Sequence, residues 1–265
     1  MNTGLKITAL ICVVWCAIAP ACCRAQQVEH GGIVRMDSSR KDIYLVFTGH
    51  EFAEGFPEVK AALRRHRVAA NFFLTGDFYR NPEFAPLIRY LVKKGHYLGA
   101  HSDKHLLYCA WEDRDSLLVD RGTFRGDLLD NYREMERFGI RKEKAPYYMP
   151  PYEWYNDSIS RWCAELGITL VNFTPGTTSN ADWTYPELGA SYRDSESIYK
   201  RILGYEEASG LNGFILLLHI GSDPRRTDKF TAYLDDLIGA LKSRGYSFRR
   251  FDPAMAATGK KPRIP

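Results

Sequence analysis

The chain has 265 residues, enough to bury one large core, and a (β/α) barrel of that size needs no second domain. Its formal charge of +4, which falls by two if Lys6 and Arg24 leave with a leader, argues against a nucleic-acid groove. The short basic runs Arg64-Arg65-His66-Arg67 and Lys260-Lys261-Pro262-Arg263 read as a solvated face and a tail end.

Residues 1–25 combine Lys6, an apolar run from Ile7 to Ala21 and small residues after it. This is the layout of a secretory signal peptide, so the mature chain is expected to be exported, periplasmic or extracellular. The run is too short and too soon interrupted for a membrane span. Ala19-Pro20-Ala21 and Cys23-Arg24-Ala25 both offer a cleavage site. A lipidated Cys22 or Cys23 is the weaker alternative, because the residues before them fit a lipoprotein signal poorly. Four of the six cysteines lie in this leader, leaving Cys109 and Cys163. The two either pair, as export permits, or act as small buried hydrophobes.

The rest of the chain alternates strand and helix. Apolar runs suited to buried parallel strands occur at Ile43 to Phe47, Ala69 to Leu74, Tyr97 to Ala100, Ile168 to Phe173 and Phe214 to Leu218. Helical spacing marks Phe84 to Lys94, Leu117 to Phe138, Ser158 to Leu166, Ser195 to Glu207 and Phe230 to Arg244. Gly95, Gly139, Gly167 and Gly245 stand where helices should stop, because glycine takes the left-handed position past a helix end cheaply. Such alternation predicts an α/β protein of parallel βα units, either a barrel or a doubly wound sheet. The single domain is expected over 26–255, followed by a basic tail at 256–265.

In these folds chemistry gathers where the strands end. Thr48, Gly49, His50 and Glu51 follow the first run, and His101 and His105 follow the third. Pro150, Pro151, Tyr152 and Glu153 follow a short one, Asn180, Asp182 and Trp183 come in a later loop, and His219 ends Leu216-Leu217-Leu218. The His-x-x-x-His spacing equals one helical turn, so both imidazoles can point one way and share a metal ion. Alone, that pair is equally compatible with solvated loop histidines. Its place at a strand end favours the metal reading.

Gly95-His96-Tyr97-Leu98-Gly99-Ala100-His101-Ser102-Asp103-Lys104-His105 resembles the second motif of the polysaccharide deacetylases of the NodB-homology type, carbohydrate esterase family 4. Val68 to Gly76 is similar to that family's Ala-Thr-Phe-Phe-x-x-Gly strand, and Pro150-Pro151-Tyr152 to the end of its third motif. Asp182-Trp183 resembles the fourth motif and Leu218-His219-Ile220-Gly221 the fifth. The resemblance runs from Ile43 to Phe251. It implies a distorted (β/α) barrel of about seven parallel strands, His101 and His105 as metal ligands, and His219 as general acid.

The first motif departs from the family. In place of Thr-Phe-Asp-Asp-Gly, whose carboxylates are base and ligand, this chain has Val46-Phe47-Thr48-Gly49-His50-Glu51. The arginine that orients the basic aspartate is matched by Met149, a coherent pair of losses, since a buried arginine without its carboxylate would be an unpaired charge. His50 is expected to complete a three-histidine zinc site, with Glu51 as base, or Glu51 to replace it as ligand. Glu153 and Asp182 are the other base candidates. The bland alternative is that His50 and Glu51 only cap the next helix or pair together.

The implied function is a metal-dependent hydrolase that removes N- or O-acetyl groups from a carbohydrate or peptidoglycan-type glycan, with one divalent ion, zinc, as cofactor. Tyr152, Glu153, Trp154 and Trp183 are expected to contact the sugar, and a backbone N–H near Tyr152 to hold the oxyanion. A carbohydrate-binding protein on the same barrel, without turnover, is the alternative.

Overall fold

A computed structural model describes residues 26–251, so the leader expected over 1–25, residues 252–255 and the basic tail lie outside the described residues. The chain enters through an antiparallel hairpin, β1 (Gln27–Glu29) and β2 (Gly32–Arg35). Then come β3 (Asp42–Gly49), α1 (Phe56–His66), β4 (Asn71–Leu74), α2 (Gly76–Arg80), α3 (Ala85–Lys93), β5 (Tyr97–Ala100) and α4 (Arg121–Glu136). They are followed by β6 (Tyr147–Tyr148), α5 (Asp157–Glu165), β7 (Thr169–Leu170), α6 (Ser195–Ser209), β8 (Phe214–His219), α7 (Leu234–Ser243) and β9 (Ser247–Phe248).

One sheet runs in the order β1-β2-β8-β3-β4-β5-β6-β7, with β9 added beside β3. All pairings among β3 to β9 are parallel, which makes the seven strands expected. The sheet curls until its two sides meet: Ile33 bridges Val171, Asn172 N donates to Ile33 O at 2.8 Å, and Thr174 N donates to Ile215 O at 3.0 Å. The fold is therefore a distorted (β/α) barrel rather than a doubly wound sheet. The strands Ile43–Gly49 and Phe214–Leu218 are buried on both faces, which is why they read as unbroken apolar runs.

Side-chain caps set the helix starts. Asp120 accepts from Thr123 N at 2.7 Å, so α4 begins at Arg121 and the expected start at Leu117 is four residues early. Asn156 caps α5 and Asp194 caps α6 in the same way. Gly95, Gly139, Gly167 and Gly245 all have positive φ, from 70° to 87°, as their stop positions require. The hairpin β1–β2 and the helices α1 and α2 had no counterpart among the expected elements.

Phe251 closes the interior. Its ring lies 4.8 Å from that of Tyr147 and 5.1 Å from that of Tyr44, with Tyr97 and Phe73 at 5.8 and 5.9 Å. Its N–H donates to Asn71 Oδ1 at 2.7 Å. Phe251→Ala is expected to cost about 3–5 kcal/mol in urea unfolding, through the cavity it leaves. Cys109 and Cys163 are both buried and unpaired, so they act as core hydrophobes and the pairing alternative falls. Among the described residues no helix is long and apolar enough to cross a membrane.

Candidate active site

The carboxyl ends of β3, β5, β6 and β8 open on one cleft of about 480 Å³. Thr48, Gly49, His50 and Glu51 line it from β3, His101 and His105 from β5, Tyr152 and Glu153 from β6, and His219 from β8. The loop after β7 contributes Asn180 and Trp183.

His101 and His105 are brought together, with ring centroids 5.2 Å apart. The reason differs from the one expected. The segment is a loop, not a helical turn, and Ser102 and His105 have φ of 71° and 55°. Two polar residues on the buried face of α4 shape it: Asn131 Oδ1 accepts from His101 N at 2.8 Å, and Asp127 accepts from Asp103 N at 3.1 Å and Lys104 N at 2.9 Å. Sequence reasoning missed both. Their signal was two polar side chains, one turn apart, on a helix face shared with Phe124, Leu128, Tyr132 and Met135.

An ion cluster braces the same loop from below. Arg80 donates to both oxygens of buried Asp103, at 2.7 and 2.9 Å, and to Asp77 at 2.6 Å, while Lys104 also reaches Asp77 at 2.7 Å. Arg80→Ala strands the Asp103 carboxylate with only Lys104, at 3.6 Å, beside it. The expected loss is about 3 kcal/mol by thermal unfolding, the low end for breaking a buried pair.

Burial holds His101 and His105 neutral, down to about 3 and about 2 respectively, and it lowers His50 as well. His101 Nδ1–H donates to Met149 O at 2.8 Å, which leaves Nε2 with its lone pair. The His50 ring stacks on His105 at 4.6 Å and 9°, with its Nδ1 3.1 Å from Thr75 Oγ1. It neither caps a helix nor pairs with Glu51. Three neutral imidazoles are the right donor chemistry for a zinc-like ion. Among the described residues, however, no three His, Cys, Asp or Glu side chains form a ready-made metal site. The His50 and His105 rings lie stacked and nearly parallel, and the three imidazoles share one cleft without converging on a common point.

Across the cleft, His219 Nδ1–H donates to Asp182 Oδ1 at 2.6 Å, and His219 N donates to Asp182 Oδ2 at 2.8 Å. Burial opposes the imidazolium, but the charge and hydrogen bond of Asp182, with help from Glu153, outweigh it and raise the His219 pKa. Fully buried Arg226 donates to Thr184 O, Arg193 O and Ser195 Oγ, tying down the loop that carries Asp182. Glu153 is half-buried, and burial raises its carboxyl to about 7 despite the pull of His219. Glu51 is exposed at the rim.

The end of β3 explains what became of the missing carboxylates. A Cβ on Gly49 would meet the side chains of Ile220, Leu74 and Phe78 at 2.8, 2.9 and 3.0 Å, so an aspartate at position 49 would require those three side chains to shift. Thr48 is buried, and its hydroxyl has no hydrogen-bond partner. Met149 is buried and apolar, as befits a site with no carboxylate to orient.

Tyr152 and Trp183 stand at the mouth, 45 % and 43 % exposed, and Trp111, at 53 %, joins them. Trp154 does not line the cleft. Arg114 covers its face at 3.6 Å, its Nε1–H donates to Ala110 O at 3.1 Å, and it backs Trp111 at 5.7 Å. Tyr147, Tyr148 and Tyr155 are core side chains.

The family model for polysaccharide deacetylases matches residues 35–171, the stretch from β2 through β7. This chain belongs to the polysaccharide deacetylase family. A peptidoglycan-N-acetylglucosamine deacetylase of Bacillus cereus is 28 % identical over 227 residues, 84 % of this chain and 93 % of the relative. A chitooligosaccharide deacetylase of Sinorhizobium fredii is 28 % identical over 226 residues, 82 % of this chain and 93 % of the relative. The fold is shared with a CE4 family pseudoenzyme from Bacillus anthracis, at TM-score 0.64 and 20 % identity, covering 83 % of this chain and 67 % of that one. At the end of β3 this member carries Thr48 and Gly49, and no carboxylate.

Proposed function

We propose that this family member is an exported hydrolase that removes acetyl groups from an acetylated glycan, of peptidoglycan or chitooligosaccharide type. The observation that carries this reading is the His219–Asp182 pair, closed at 2.6 Å, set in one cleft with two neutral, buried imidazoles. His50, His101 and His105 would hold one divalent ion, zinc. Such an ion, when bound, supplies a Lewis acid that acidifies water and polarises a carbonyl.

The chain's own groups do the rest. Met149 O fixes the His101 tautomer, and Asp127 and Asn131 fix the loop. A backbone N–H at Tyr152 would hold the developing oxyanion. His219, kept charged by Asp182, gives its proton to the departing amine or alkoxide. A cleft carboxylate takes the proton of the attacking water, and Trp183, Tyr152 and Trp111 offer faces to sugar rings.

A second reading rests on Thr48 and Gly49. With no carboxylate at the end of β3, the barrel would bind an acetylated glycan without turning it over. Acetate release from N-acetylated chitooligosaccharides and peptidoglycan, by zinc-supplemented protein, separates the two. Release that is lost in His105→Ala supports the hydrolase. Glycan binding without acetate supports the binding protein.

A further inference from the structure

We infer that Glu153, on the loop after β6, has taken over the proton-accepting role that the end of β3 no longer provides. The inference rests on the deacetylase reading above and names the group that makes it work.

The other carboxylates around the cleft are spent or misplaced. Asp182 gives both oxygens to His219. Asp223 gives both to Arg225, through Nε at 2.8 Å and Nη2 at 2.5 Å. Thr48 and Gly49 carry no carboxylate, and Glu51 sits exposed at the rim. Glu153 lines the cleft, half-buried, and among the described residues no hydrogen bond or ion pair engages its carboxylate, which feels the charges of His219 and Asp182. Across the cleft floor, the buried Thr48 hydroxyl also lacks a partner, and an acetyl group or a water would satisfy it.

The backbone supports the same reading. Tyr152 and Glu153 have φ of 58° and 54°, in a region that side chains other than glycine adopt rarely, and strain of this kind collects at functional sites. Two contacts hold the turn: Asn172 Nδ2 donates to Glu153 O at 2.8 Å, and Glu153 N donates to Pro150 O at 3.2 Å. The turn thus delivers a carboxylate to the cleft from a loop that a glycine would make more cheaply.

The proton accounting closes. The attacking water gives a proton to the Glu153 carboxylate while its oxygen lone pair forms the new bond to the acetyl carbon. The carbon–nitrogen bond then breaks, its electron pair stays on nitrogen, and His219 supplies the proton that makes the amine. Acetic acid leaves and loses its proton to solvent. Protonated Glu153 and neutral His219 remain, and transfer of one proton between them restores the starting state. Burial and the nearby Asp182 raise Glu153 to about 7 against the pull of His219, and Asp182 raises His219 against its burial, so each group can exchange a proton in the neutral range. The charged groups acting on this pair are Asp182 and Arg226.

The test is acetate release across pH by zinc-loaded wild type, Glu153→Gln, Glu153→Asp and Glu51→Gln, with thermal unfolding and glycan affinity measured in parallel. The expected result is a fall in kcat of about 10²–10⁴-fold in Glu153→Gln with affinity kept, and loss of the acidic limb near pH 7. Glu153→Asp, which keeps a carboxylate, is expected to retain that limb at a reduced rate. It also decides the matter if Glu153→Gln does not fold. A Glu153→Gln enzyme within a few-fold of wild type, a Glu153→Asp enzyme without the limb, or a larger loss in Glu51→Gln overturns the assignment. Wild type that binds glycan and releases no acetate overturns the deacetylase reading itself.

Discussion

Asp182→Asn is expected to lower kcat for acetate release by about 10³–10⁴-fold, the scale seen when an amide replaces the carboxylate behind a catalytic histidine. The cause is geometric as well as electrostatic. Asp182 accepts two hydrogen bonds, one on each oxygen, from His219 Nδ1–H and from His219 N. Asparagine has one acceptor and one donor, so one of those contacts becomes donor against donor, or the ring turns to the wrong tautomer. The imidazolium also loses the charge that outweighs its burial, so the basic limb of the pH–rate profile moves to lower pH. Linkage gives a second readout. A folded-state pKa above the ordinary 6.5 means that the pair's contribution to stability is complete below 6.5 and is lost as pH rises through the folded value. The stability gap between wild type and Asp182→Asn should therefore be widest in mild acid and narrow in alkali. A variant within about tenfold of wild type would make Asp182 a structural partner only.

His101→Ala is expected to have the other large effect, on metal retention before activity. His101 is the most deeply buried of the three imidazoles, and its backbone N–H and its ring are both held, by Asn131 and by Met149. Loss of an outer partner of a ligand typically costs 10–100-fold in affinity, so loss of the ligand itself should exceed about 100-fold. Zinc content after dialysis, by elemental analysis, should fall from one equivalent to background while the fold is kept. His50→Ala should fall less, because His50 stacks on His105 rather than converging with the other two. Equal zinc content in all three proteins would remove these histidines from the ligand set.

Much of this was legible in the sequence because the relevant forces are local or periodic. The buried parallel strands β3 and β8 appear as unbroken apolar runs, the helix stops appear as glycines, and His219 marks where β8 meets the cleft. The resemblance singled out His101 and His105, and both line the cleft, although the spacing argument behind them assumed a helix and the segment is a loop. Other features depend on contacts distant in sequence. Asp127 and Asn131 reach the His101–His105 loop across 24 and 30 residues, and Ile33 closes the barrel on Val171. Trp154, expected at the sugar, lies outside the cleft with Arg114 over its face, and Trp111 lines the cleft. The Glu153 role rests on a left-handed turn that no residue type in Pro150-Pro151-Tyr152-Glu153 announces.

In the proposed function this cleft hydrolyses acetyl groups although β3 carries no carboxylate at its end. The most direct measurement is acetate released from an N-acetylated chitooligosaccharide by the zinc-loaded wild-type chain, set beside His219→Ala. The account predicts multiple turnovers for wild type and a loss of at least about 100-fold in the variant. No acetate from wild type, with the glycan demonstrably bound, would contradict it.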